Sequence, residues 1–371
     1  MNKAEATVRG LCEIADIEIN GSRRHDIQVN DASFYRRMLS EGSLAFGETY
    51  MEGLWDCEAP DDLVYRILVT RLERRISPLR LLWPVIWAKI ANLQSRRRAF
   101  DIGKHHYDIG NELYQRMLDR RMTYTCGYWK EADNLDEAQE AKLDLVCRKI
   151  GLKSGMRVLD VGCGWGSFAR FAAEHYDVEV VGVTVSREQI TLGQELCKDL
   201  NVELRYQDYR DVTGRFDRIV SLGMFEHVGP KNYRTYMKVV EACLADDGLF
   251  LLHTIGTNRK ADAVDPWGNK YIFPGAVLPL TGQIDAAARG LFVLEDWHNF
   301  GTHYDPTLRA WMDNIDRHRA ELESLGYDER FYRMWRYWLL TAAGSDRARR
   351  NHLWQIVFSK NGVDGGYASI R

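Results

Sequence analysis

Seven short runs rich in Val, Ile and Leu recur through the second half of this chain and limit what it can fold into. They are Met156–Val161, Val178–Val183, Val202–Tyr206, Phe216–Ser221, Gly248–His253, Leu291–Asp296 and Leu353–Ser359. Most are continuous rather than alternating, as in strands buried on both faces of a parallel sheet. Helical stretches fall between the early ones, so right-handed βαβ units and a doubly wound α/β sheet are expected. Such sheets bind ligands at the carboxyl ends of their strands, near the switch in strand order.

The 371 residues exceed one minimal domain, and 45% hydrophobic content can fill a core. Residues 1–90 read as a smaller, mainly helical N-terminal domain with turns at Asn20-Gly21, Glu41-Gly42 and Pro60-Asp61. Residues 91–104, with Arg96, Arg97 and Arg98, read as a linker, and 105–371 as the sheet domain.

Charge is unevenly spread. A net charge of −3 and a pI near 6.4 give no case for nucleic acid. Yet Arg71 to Arg98 holds eight basic residues against one acid, Glu73, interleaved with Leu81, Trp83, Val85, Ile86, Trp87 and Ile90. That composition suits an element lying on an anionic membrane surface, or a solvated basic face on an ordinary core helix; Pro84 breaks any single long helix. The longest apolar run, Leu81 to Ala88, is far short of the roughly 20 residues that span a bilayer. The start, MNKAEATVRG, has no apolar signal core, and the seven cysteines form no CxxC pair. A reducing cytoplasm is expected, without disulfide framework or metal.

The chemistry-bearing residues cluster at predicted strand ends. Val158-Leu-Asp-Val-Gly-Cys-Gly-Trp-Gly166 closes the first strand, and Gly162, Gly164 and Gly166 allow a tight turn and close approach to a ligand. The spacing is not the dinucleotide GxGxxG, and Asp160 precedes the glycines, which favours a nucleoside with a positively charged tail over a pyrophosphate. A turn that merely packs is the plain alternative. After the second strand stands Thr184 where a ribose-binding acid is usual. Ser186 and Gln189 have capping-box spacing, so helix starting explains both as well as a ribose contact does. Asp208 and Tyr209 suit an adenine or a plain loop. Glu226 with His227 and His253 end the fourth and fifth strands; each alone reads as structural, but together they read as a site. Cys126, among aromatics, reads alone as a small buried hydrophobe.

These segments, with His106-Tyr-Asp-Ile-Gly-Asn111, Tyr124-Thr-Cys126, Gly223-Met-Phe-Glu-His-Val-Gly229, Leu252-His-Thr-Ile-Gly256, Trp297-His-Asn-Phe-Gly301, Tyr304 and Leu353-Trp-Gln, resemble the cyclopropane-fatty-acid-phospholipid synthases over nearly the whole chain. The resemblance implies a class I methyltransferase sheet whose last strand, Leu353–Ser359, is antiparallel. It implies S-adenosylmethionine along Tyr124, Thr125, Val158, Asp160, Gly162, Cys163, Gly164, Trp165, Gly166, Thr184, Ser186 and Gln189, with Asp208 and Tyr209 at the adenine. It further implies a bicarbonate base held by Cys126, Glu226, His253, Ile255 (through its backbone) and Tyr304. The expected activity is methylene transfer to unsaturated acyl chains of membrane phospholipids, by a homodimer bound peripherally to the inner face of the membrane. A related lipid methyltransferase giving a methyl or methylene branch is the alternative, and plant alkaloid N-methyltransferases share the sheet domain. The chain departs from the family at Ala342, where a cysteine is frequent, and at Asp346, where an aromatic is usual. The first removes any covalent role for a cysteine there; the second bears on pocket shape.

Overall fold

The computed structural model describes residues 3–71, 110–258 and 265–371. The His106 motif up to residue 109, the 91–104 linker and all of the basic segment beyond Arg71 lie outside the described residues. The chain divides into two compact units, the first drawn from residues up to 71, 265–274 and 304–350, the second from 110–258, 275–303 and 351–371.

In the first unit, helices Lys3–Ile14, Ser33–Glu41, Ser43–Met51 and Pro60–Val69 accompany a two-stranded pair, β1 (Gln28–Val29) and β2 (Trp55–Asp56). Asn20 and Gly42 adopt positive φ, as turns require. Pro60-Asp61 is not a turn: Pro60 opens a helix, because its fixed φ and missing N–H fit the first helical position. Helices Pro266–Tyr271, Tyr304–Arg317, Arg319–Ser324 and Glu329–Arg347 also belong to this unit. Gly344 lies so near the Asp61 carbonyl that a Cβ would stand 2.1 Å from it, so only glycine permits this helix contact. Arg347 bonds Asp61 and Asp305, and Arg333 bonds the Tyr50 carbonyl and Asp56. The departures Ala342 and Asp346 both sit on Glu329–Arg347, the first half-buried and the second buried.

The second unit is a seven-stranded sheet of β3 (Arg157–Val161), β4 (Glu179–Thr184), β5 (Val202–Tyr206), β6 (Phe216–Leu222), β7 (Leu244–Gly256), β8 (Val293–Asn299) and β9 (His352–Ser359). The order is β5-β4-β3-β6-β7-β9-β8. Neighbours pair in parallel from β5 to β7, and β9 runs antiparallel to both its neighbours. All seven predicted strands are present, and the fold is that of class I methyltransferases. Residues alternate between two apolar cores, one around Leu159, Val181 and Phe250, the other around Val158, Val180 and Leu251. Burial on both faces is why the strands read as unbroken apolar runs. Helix Leu135–Lys149, capped by the Asn134 side chain on the Glu137 N–H, packs over the second core through Leu143 and Val146.

Candidate active site

Turns at the carboxyl ends of β3, β4, β5 and β6 enclose a cavity of about 180 Å³, roughly ten times what one water needs. Tyr124, Thr125, Asp160, Gly162, Cys163, Gly164, Trp165, Thr184, Ser186, Gln189, Asp208 and Tyr209 all line it. Two residues expected there do not. Val158 is a fully buried core residue of β3, and Gly166 turns the chain into helix Ser167–Tyr176 at φ +80°, where a Cβ would strike Cys197 and Leu204. Gly164, in contrast, has φ +56° and nothing within 3.9 Å of a would-be Cβ except Gln189. Its missing side chain is therefore space left open in the cleft, as a ligand cradle requires.

Local hydrogen bonds explain the polar lining. Ser186 caps helix Arg187–Cys197 by accepting from the Gln189 N–H. The Gln189 side chain does not complete the capping box; its Oε1 accepts from the Thr184 hydroxyl at 3.0 Å. Asp208 accepts from the Arg210 backbone N–H at 2.9 Å and pairs with its guanidinium. Asp160 is buried, its Oδ1 makes no hydrogen bond, and burial raises its carboxyl to about 7. An orphaned acid at this depth fits a cationic ligand group.

Sequence reasoning missed Lys142 and Gln139. Fully buried Lys142 lines the cleft and donates to Thr125 Oγ1 at 2.7 Å, and burial lowers its ammonium to about 8. Gln139 donates to the Thr125 carbonyl at 2.7 Å. A signal was available: Leu135, Ala138, Lys142, Leu145 and Lys149 fall on one helical stripe, so both lysines stand on the apolar face. His227, noted at the fourth strand end, also lines the cleft, and burial pushes its imidazole down to about 4.

The second group of expected residues lies deeper in the same unit, with one exception. Glu226 and His253 are buried, and Cys126 is fully enclosed with its thiol directed to the Gly127 carbonyl at 3.3 Å. The Ile255 N–H donates to Glu226 Oε1 at 2.6 Å, so this backbone group holds the carboxyl in place. Glu226 Oε2 and His253 Nε2 are both buried without a hydrogen bond. Burial raises Glu226 to about 7, while burial and the Lys142 and Lys149 cations hold His253 well below the usual imidazole range. A carboxyl near half-protonation and an idle ring nitrogen fit a small oxyanion such as bicarbonate. The pair adjoins the cleft, since Gly223, which lines it, donates from its N–H to the His253 carbonyl at 2.9 Å. Tyr304 is the exception: it opens helix Tyr304–Arg317 in the other unit, where it is half-buried.

Residues 94–356 match the family described as Mycolic acid cyclopropane synthetase. The chain is 51% identical over 366 residues to the cyclopropane-fatty-acyl-phospholipid synthase of Escherichia coli strain K12, covering 97% of this chain and 94% of that one. The solved mycolic acid cyclopropane synthase CmaA1, complexed with SAH and CTAB, is similar at TM-score 0.65 and 31% identity, over 70% of this chain and 98% of that one. Coclaurine N-methyltransferase shares the fold at TM-score 0.69 and 24% identity, over 85% and 99% of the two chains.

Proposed function

Since this chain belongs to the mycolic acid cyclopropane synthetase family, we propose that it transfers a methylene group from S-adenosylmethionine to the cis double bond of unsaturated acyl chains in membrane phospholipids, closing a cyclopropane ring. The observation that carries this reading is the pair of idle buried polar atoms, Glu226 Oε2 and His253 Nε2, next to a cleft suited to a cationic nucleoside.

The donor supplies an electrophilic methyl on a sulfonium. Asp160 answers its positive tail, Gly164 leaves room for it, Thr184 and Gln189 present hydroxyl and amide to the ribose, and Asp208 and Tyr209 serve the adenine. The acyl carbocation left by methyl transfer needs aromatic faces and exclusion of water. Tyr128 and Phe300, buried and edge-on at 5.2 Å with Phe300 also edge-on to His253, provide such a wall. Bicarbonate would be held by Cys126, Glu226 and His253, with the Ile255 N–H fixing Glu226, and would supply the base that takes a proton from the transferred methyl. Glu226 and His253 would orient it, and Cys126 would add a hydrogen bond. The basic segment beginning at Arg71 holds the enzyme on an anionic leaflet.

The test is to incubate purified protein with isotopically labelled donor and phospholipid vesicles, then analyse the fatty esters by mass spectrometry. Labelled cyclopropane esters support the reading. An acyclic branched ester would assign the neighbouring lipid methyltransferase reaction, and no labelled lipid would overturn both.

A further inference from the structure

Three side chains stand in register across the sheet, two of them outside the roles assigned so far. His253 of β7 is paired with Gln355 of β9, and Gln355 with His298 of β8. Directly opposed residues point to the same face of a sheet, so the three form one polar row. Here the face is that of Leu251 and Val357, under helix Leu135–Lys149. The row ends on that helix, where Lys149 Nζ lies 2.9 Å from His298 Nδ1. Lys149, Gln355 and His253 are each no more than 1% exposed. Polar groups so enclosed are costly unless their hydrogen-bonding serves something.

Two separate hydrogen bonds act on the row, one at each histidine. His298 is held neutral by burial and by the Lys149 cation, its imidazole pushed to about 3, so its Nδ1 accepts from the lysine. Gln355 Nε2, an amide donor, lies 3.3 Å from His253 Nδ1. With the amide nitrogen toward the ring, Nδ1 is the bare nitrogen of a neutral imidazole and the single proton resides on Nε2, while Gln355 Oε1 is left buried without a hydrogen bond. Phe300 packs edge-on to His253 with ring centroids 6.0 Å apart. Nε2 is the atom left buried without a partner.

We propose that Gln355 is a positioning residue which locks His253 as its Nε2–H tautomer, so that the imidazole presents a hydrogen-bond donor, and never a base, to a small oxyanion bound beside Glu226. This rests on the reading of His253 as part of the anion site. The base is then the anion itself. With Nδ1 protonated instead, the bare Nε2 lone pair would face the anion and repel it.

The test uses full-length protein labelled with ¹⁵N-histidine, the His253 resonances being those lost in His253→Asn. Wild type should show protonated Nε2 and bare Nδ1. Gln355→Glu puts an acceptor where the donor was, and should move the proton to Nδ1 or charge the ring. It should also lower kcat for ring formation by at least about tenfold, the scale of losing an orienting partner, with KM for S-adenosylmethionine unchanged. Gln355→Met, of similar shape and without a donor, should show both tautomers and intermediate kcat. A wild-type ring protonated on Nδ1, or the wild-type pattern persisting in both variants, overturns the proposal. The spectra do not depend on turnover, so wild-type protein that forms no ring would overturn the proposed function and leave the tautomer assignment standing.

Discussion

Glu226 is the residue whose chemistry is most sharply set by its surroundings. One oxygen is tied to the Ile255 N–H, the other is free, and burial moves the carboxyl from 4.5 to about 7. Only the protonated form has an O–H to give to an anion; above about pH 7 the carboxylate would oppose one. Ring formation should therefore fall as pH rises through about 7, at saturating donor. Glu226→Gln should remove most activity, because an amide donates more weakly than a carboxylic acid. What remains should no longer decline on the alkaline side, and donor affinity should be near normal by calorimetry. A wild-type rate that is flat from pH 6.5 to 8.5 would refute this account. At this scale the sequence was legible where chemistry is local: Asp160, Gly164, Asp208 and Tyr209 all line the cleft. For Lys142 and Lys149 the apolar stripe was the only signal, and it fell short because a lysine there ordinarily snorkels to water; tertiary packing shows that these two do not.

The glycine turn after β3 shows how one element serves two ends. Gly166 is required by packing and φ together, whereas Gly164 is required by φ and leaves open space in the cleft. Alanine at 164 costs the folded protein about 1–2 kcal/mol for the left-handed conformation. Its methyl, however, projects where the donor would sit. Gly164→Ala should thus lower the melting temperature by only a few degrees and raise KM for S-adenosylmethionine by about tenfold or more, since about 1.4 kcal/mol of lost binding is already a factor of ten. An unchanged KM would mean that the turn only packs. Strands were readable because β3, β4, β6, β7 and β9 are covered on both sides. Pro60-Asp61 was misread as a turn because proline marks turns and helix starts alike, and only the following Asp62-Leu63-Val64 periodicity separates them.

For the whole molecule, charge suggests where it works. Reversing Arg74, Arg75 and Arg80 to Glu should weaken sedimentation with anionic vesicles, at on the order of 1 kcal/mol per charge near the surface, and make what binding remains less sensitive to salt. Binding equal to wild type would remove the docking role from this segment. No helix among the described residues is long and apolar enough to cross a membrane. The division into units was only partly readable, since strand spacing marks the sheet but nothing local announces that 304–350 packs with the first residues of the chain. That interleaving bears on synthesis. The Asp61 carbonyl and Tyr65 backbone meet Gly344 from roughly 280 residues further on. At about 5–20 residues per second, the N-terminal helices leave the ribosome on the order of 15–60 seconds before their packing partner exists, and through that interval the apolar faces that meet it stay uncovered by their own chain.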